Sequence, residues 1–178
     1  MAVRTILIYP DPILATQSEP IDEITEEVKT LAHDMLETMV AARGIGLAAN
    51  QVGVTKRLIV VDLNPFPGEE EEGEMRDPAL GPHVMINPEI VAREGSIVWE
   101  EGCLSVPEEV GGVERSAVIQ ADFTNLEGQR MTLEASELMA VCIQHEIDHL
   151  DGIVYPDRMH DRARARAIRL AMKALKSA

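Results

Sequence analysis

A chain of 178 residues has the length of one domain, and with 46% hydrophobic residues it has the bulk to bury a core. No apolar run is long enough to span a bilayer, and Met1-Ala2-Val3-Arg4 is not followed by the apolar stretch of a secretory signal, which predicts a cytoplasmic protein. Two cysteines exclude a disulfide framework, and the formal net charge of −15 is divided unevenly along the chain.

In chain order, the first predicted helix carries Ile24, Val28, Leu31, Met35 and Met39, whose steps of four and three make one apolar stripe. Asp22 marks its start and Gly44 its stop. Gly44-Ile45-Gly46-Leu47-Ala48-Ala49-Asn50-Gln51 follows and reads as a helix stop and a small-residue turn. Strand-like runs come next, at 57–63, 83–90, 96–100, 117–124 and 129–133, and Thr124-Asn125-Leu126-Glu127-Gly128 reads as a hairpin turn. Residues 64–82 hold four consecutive glutamates, Glu69 to Glu72, flanked by Pro and Gly, and read as an inserted, mobile acidic loop without assigned chemistry. A second helix is predicted from Ser136 through Leu150 with Gly152 at its end, and a third from Asp157 almost to the terminus. Adjacent strands with short turns favour antiparallel pairing, so the predicted fold is α+β. Antiparallel sheets wrap a central helix, with an N-terminal and a C-terminal helix beside them. The whole of 1–178 is read as a single catalytic domain.

The second helix contains Gln144-His145-Glu146-Ile147-Asp148-His149-Leu150. Four residues advance a helix by about 400°, so His145 and His149 stand one above the other, with Glu146 about 100° from His145 at the border of that face. Such a pair can hold a metal ion while the carboxylate reaches a water beside it. A hydrolytic site needs about three protein ligands and one open position. The third ligand must come from Cys103, in Glu101-Gly102-Cys103-Leu104-Ser105, or from Cys142, three residues before His145. Cys103 is favoured, because the glycine beside it lets the backbone approach closely and a turn lets the thiolate point at the helix. Leu138, Val141 and Cys142 precede His145 by seven, four and three residues, so they share its face as an apolar wall. Ile45 is a further candidate member. The wall suits an apolar side chain.

GIGLAANQ, EGCLS and QHEIDHL, in this order, resemble the three-motif signature of the peptide deformylases. The similarity extends from Tyr9-Pro10-Asp11-Pro12 to Asp151-Gly152-Ile153. The resemblance implies removal of the formyl group from N-formylmethionine at the start of nascent polypeptides, with release of formate. It implies Cys103, His145 and His149 as metal ligands and Glu146 as general base. Gln51 by its side-chain amide and Leu104 by its backbone N–H match the oxyanion donors, and Gly46 matches a backbone position along the bound substrate. Two imidazoles and a thiolate suit Zn2+, Ni2+, Co2+ or Fe2+. The resemblance implies Fe2+.

Residues 158–178 carry seven Arg/Lys against Asp161 alone. Arg158, Arg162, Arg166, Arg169, Lys173 and Lys176 form a basic stripe opposite Ile168, Ala171, Met172 and Leu175. A solvated face explains such a stripe; so does a phosphate-binding face, and the resemblance implies contact between a C-terminal helix and the ribosome. Two rival functions remain. An endopeptidase with the same helix takes its third ligand from later in the chain, where only His160 follows. A closed, non-catalytic site needs Cys142 as a fourth ligand.

Overall fold

Leu58-Ile59-Val60-Val61 is an unbroken apolar run, the pattern of a strand covered on both faces. In the computed structural model, which describes residues 2–69 and 75–178, all four are completely buried. Their strand is sandwiched between two helices. The elements are α1 (Glu26–Ala41), β1 (Gly46–Ala48), β2 (Leu58–Val61), β3 (His83–Glu94), β4 (Ile97–Cys103), β5 (Val106–Arg115), β6 (Val118–Thr124), β7 (Arg130–Ser136), α2 (Glu137–Leu150) and α3 (Arg162–Ser177). Strands β1-β2-β3-β6-β7 form one sheet in that order, and β4 and β5 form a second, two-stranded sheet. Every pairing between these strands is antiparallel. The expected α+β architecture is what the chain adopts.

Alternation along β2 sorts its side chains between two layers. Leu58 and Val60 join Leu31, Met35 and Met39 of α1 in one cluster, while Ile59 and Val61 join Met139, Ile143 and Ile147 of α2 in another. A third cluster packs Ala165, Ile168 and Met172 of α3, with Tyr155 and Met159, against Val106 and Val113 of β5. Ile143 is completely buried at the centre of the α2 layer. Ile143→Ala should lower the unfolding free energy by about 2–5 kcal/mol, measured by denaturant titration.

Element boundaries moved where local chemistry competed with periodicity. Helix α1 is capped by Thr25, whose hydroxyl accepts from the Val28 N–H, rather than by Asp22. At its end Arg43, not Gly44, takes the left-handed backbone, at φ 55°. Tyr155–Asp157 form a short 3-10 turn, and α3 starts only after Asp161, whose carboxylate accepts from the Arg164 N–H. Two strands were not foreseen. One is β1, three residues cut from the small-residue turn; the other is β5, whose Pro107, Gly111 and Gly112 hide its pattern. The predicted hairpin joins β6 to β7, with the Asn125 carboxamide accepting from the Glu127 and Gln129 N–H groups. Of the acidic loop, residues 70–74 lie outside the described residues. Its flanks are tied by Asn64, which donates to Asp62, Asp77 and Gly81.

Candidate active site

Helix α2 is buried without interruption from Met139 to Leu150, although that span includes Gln144, His145, Glu146, Asp148 and His149. Polar groups at such depth are costly unless paired, so the partners reveal what the helix is built to hold. The i, i+4 spacing sets His145 and His149 on one face with ring centroids 5.0 Å apart. Cys103, the last residue of β4, approaches from the other sheet and places Sγ 3.2 Å from His149 Nε2. Sulfur and one ring nitrogen from each histidine lie within 4.8 Å of one another.

The histidines differ in their outer contacts. His145 Nδ1 lies 2.8 Å from Glu101 Oε2, which leaves Nε2 facing the centre. Both oxygens of Glu101 in turn accept from Arg115, at 2.7 and 3.0 Å, and Arg115 donates to Asp148 at 2.5 Å. Arg158 closes the series with bonds of 2.8 and 3.1 Å to Asp148. Burial, followed by the nearby charges of His145 and Arg115, holds His149 well below the usual imidazole range, as a neutral ring. A neutral imidazole is the form that binds a metal.

Glu146 is 4% exposed, and its Oε2 has no hydrogen-bond partner among the described residues. Burial pushes its carboxyl up to about 7. Glycine at position 46 makes room for it. A Cβ there would lie 2.5 Å from Glu146 Oε1 and 2.8 Å from Cys142 Sγ, so the β1 backbone runs directly against the α2 side chains. Gly46→Ala should therefore displace Glu146, and a misplacement of about 1 Å can cost 10²-fold in rate. Steady-state kinetics on folded protein should show that loss.

Gln51 is fixed at its carbonyl end, where Oε1 accepts from the Ala48 N–H at 2.8 Å. Its amide nitrogen donates to Ser105 Oγ at 3.1 Å and lies 3.7 Å from Cys103 Sγ. Leu104 follows Cys103 in the tight turn by which β4 reaches β5.

These groups surround one cavity of about 610 Å3. Its lining includes Ile45, Gly46, Gln51, Cys103, Leu104, Leu138, Val141, Cys142, His145 and Glu146. Every site residue expected from the sequence lines it except His149, which is fully buried behind. Cys142 is not part of the metal-binding group. Its thiol donates to the Ile45 carbonyl at 3.6 Å, and burial, with the Glu146 and Glu101 charges, raises its pKa well above the usual thiol value. A closed four-ligand centre is therefore unsupported among the described residues. The sequence reading missed Glu101, Arg115, Asp148 and Ser105, and also Arg43, Trp99, Glu100, Glu108, Glu109 and Val110 around the cavity. Only Glu101 had a visible signal, since two residues along a strand place it on the same face as Cys103.

The donor set fits a divalent transition metal. It offers two buried imidazoles and a sulfur, one imidazole held by a carboxylate, with a carboxylate oxygen alongside that has no partner among the described residues.

A family model described as polypeptide deformylase matches residues 3–165. The peptide deformylase of Phenylobacterium zucineum (strain HLK1) is 44% identical over 179 residues, covering 100% of both chains. That of Alkalilimnicola ehrlichii is 47% identical over 166 residues, covering 93% of this chain and 87% of that one. The crystal structure of peptide deformylase from Ehrlichia chaffeensis in complex with actinonin superposes with a TM-score of 0.84 at 36% identity, covering 98% of each chain. The crystal structure of the Thermus thermophilus enzyme gives 0.82 at 38% identity, over 97% of this chain and 94% of that one.

Proposed function

The chain belongs to the polypeptide deformylase family, metal-dependent hydrolases that remove the N-formyl group from nascent polypeptides, and we propose that Cys103, His145 and His149 hold its metal while Glu146 moves the proton. The convergence of one sulfur and two imidazoles within 4.8 Å, beside a buried carboxylate, carries this assignment. A divalent ion held there lowers the pKa of water and polarises a carbonyl oxygen.

Glu146 takes the proton of the attacking water as it adds to the formyl carbon, then delivers a proton to the leaving amine nitrogen. Burial favours this shuttle, because it raises the carboxyl above the usual carboxylate range and so makes it a better proton acceptor near neutrality. The Gln51 side-chain amide and the Leu104 N–H donate to the developing oxyanion, and the Gly46 backbone runs along the substrate. Ile45, Leu138, Val141 and Cys142 receive the methionine side chain. Formate and the free N-terminal methionine are the products. Gln51→Ala should lower kcat about 10²–10³-fold with the metal still bound, by formate assay and metal analysis.

The physiological ion is Fe2+ in this reading, with Zn2+, Ni2+ or Co2+ able to replace it, one ion per chain. An exposed ferrous thiolate site should lose activity under oxygen and keep it under anaerobic preparation. Residues 1–178 act as one catalytic domain. We place the enzyme in the cytoplasm, beside the ribosome that supplies its substrate, and no helix of the described residues is long and apolar enough to cross a membrane. Helix α3 is the ribosome contact in this reading. Its basic stripe is narrower than the sequence implied, because Arg158 is engaged with Asp148 and Arg169 with Asp157, at 2.6 Å.

The decisive assay offers metal-loaded enzyme a formyl-Met peptide and its N-acetyl counterpart. Formate release from the first and no cleavage of the second supports the assignment. Internal peptide-bond cleavage would replace it with the endopeptidase reading.

A further inference from the structure

Five side chains run from the metal-binding face of α2 to the protein surface as an unbroken series. His145 Nδ1 meets Glu101 at 2.8 Å; Glu101 is forked by Arg115; Arg115 reaches Asp148; and Asp148 is forked by Arg158. The inner members are sealed, with side-chain exposures of 3% for Glu101, 5% for Arg115 and 10% for Asp148. Arg158 is the outer end at 48%. Charges alternate along the series. The two carboxylates outnumber Arg115 by one charge, and Arg158 brings the four ions to neutrality.

The series is anchored by strands and by a turn. Glu101 and Arg115 stand on β4 and β5, in the hairpin that also carries Cys103, while Asp148 lies on α2 one residue before His149. Arg158 follows the 3-10 turn Tyr155–Asp157, and the Tyr155 ring stacks on the His145 ring at 6.2 Å with an interplanar angle of 25°. One short segment thus touches His145 by its ring and reaches it again through four charged groups. Buried charged networks of this kind hold their members only while each is satisfied.

We propose that Asp148 and Arg158 are positioning residues which, through Arg115 and Glu101, fix the orientation in which His145 presents Nε2 to the metal. The proposal rests on the assignment of His145 as a ligand. Asp148 shares Arg115 with Glu101. Without Arg158, one Asp148 oxygen loses its partner, and Arg115 becomes the sole cation among the described residues for two buried carboxylates. The fork on Glu101 loosens, and so does the carboxylate that sets the His145 ring. Removing a hydrogen-bonded group behind a metal ligand typically weakens metal binding about 10–100-fold.

Charge alone predicts the opposite sign. Deleting Arg158 adds a net negative charge near the ion, which by itself would tighten cation binding. Orientation and electrostatics are therefore separable in one measurement. Apo-protein is titrated with Co2+ against a competing chelator, and the visible absorption of the bound Co2+ is recorded. Arg158→Ala should bind Co2+ roughly 3–10-fold more weakly and Asp148→Asn roughly 10–100-fold, both with shifted absorption bands. Arg158→Lys, which restores the charge but not the fork, should fall between Arg158→Ala and wild type. The double variant should be no weaker than Asp148→Asn alone, because both act through one path.

Unchanged Co2+ affinity and spectrum in Arg158→Ala overturn the proposal, as does tighter binding. Arg158 is half exposed, so this variant remains informative if Asp148→Asn fails to fold. His145→Ala separates the two levels of the argument. If it binds Co2+ like wild type, the ligand assignment itself fails. If it loses Co2+ while Arg158→Ala does not, only the positioning path fails.

Discussion

Glu146→Gln should lower kcat for formyl-Met peptides about 10²–10⁴-fold, the range associated with loss of a positioned general acid–base, while one metal ion per chain remains bound. Glutamine keeps the volume of the side chain, so the tight contact beneath Gly46 is preserved and the fold has no cause to change. What disappears is the ability to take a proton from water and return it to nitrogen. The substrate's methionine and backbone contacts do not involve that proton, so KM should move little, and the loss should appear equally in kcat and kcat/KM. Formate release at saturating peptide, paired with metal analysis of the same preparation, measures both halves. A rate within tenfold of wild type, with metal bound, would remove Glu146 from the mechanism.

Cys103→Ala should lose both the ion and the activity. Binding free energies of structural zinc sites are about 10–16 kcal/mol, so one ligand of four carries roughly 3 kcal/mol, or 10²–10³ in affinity. The two histidines that remain stand on one helix and approach the ion from one side only. Cys142→Ala is the matched control. Its thiol donates to the Ile45 carbonyl and lies outside the metal-binding group, so that variant should keep its ion. Retention of stoichiometric metal by Cys103→Ala, or its loss from Cys142→Ala, would reverse the assignment of the two sulfurs.

The parts of the fold legible in the sequence were those governed by local periodicity. The α1 stripe and the histidine spacing on α2 each repeat within a few turns, and both helices form with those faces inward. β5 stayed hidden because its stabilisation is not local. Pro107, Gly111 and Gly112 have poor strand propensity, and the strand exists because it pairs with β4 and supports α3. β1 is three residues long, too short for any alternation to register. At the site, the helix announced its own pair of facing imidazoles, but nothing in the spacing of Cys103 required it to meet His145 across a separation of 42 residues. Gly102 and the turn beside Cys103 favoured that placement, and the resemblance of three motifs implied it. Arg115 gave no signal at all, since its partners Glu101 and Asp148 are 14 and 33 residues away.

The basic tail shows how a one-dimensional charge pattern misleads. Six Arg and Lys residues at helical spacing suggested one continuous cationic face. Arg158 lies before α3 begins, and it turns inward to Asp148 because a buried carboxylate has a stronger claim on a guanidinium than water does.

The sulfur and the imidazoles belong to different layers of the molecule: Cys103 to a hairpin leaving the main sheet between β3 and β6, the histidines to the helix behind that sheet. An ion shared by them is a staple as well as a reagent. By mass action it stabilises the folded chain by about 2.7 kcal/mol at a free concentration one hundred times its dissociation constant. Chelation should then be felt first as faster amide exchange in the hairpin, ahead of any global unfolding. Cellular supply of the metal would in this way govern how long the enzyme lasts as well as how fast it works.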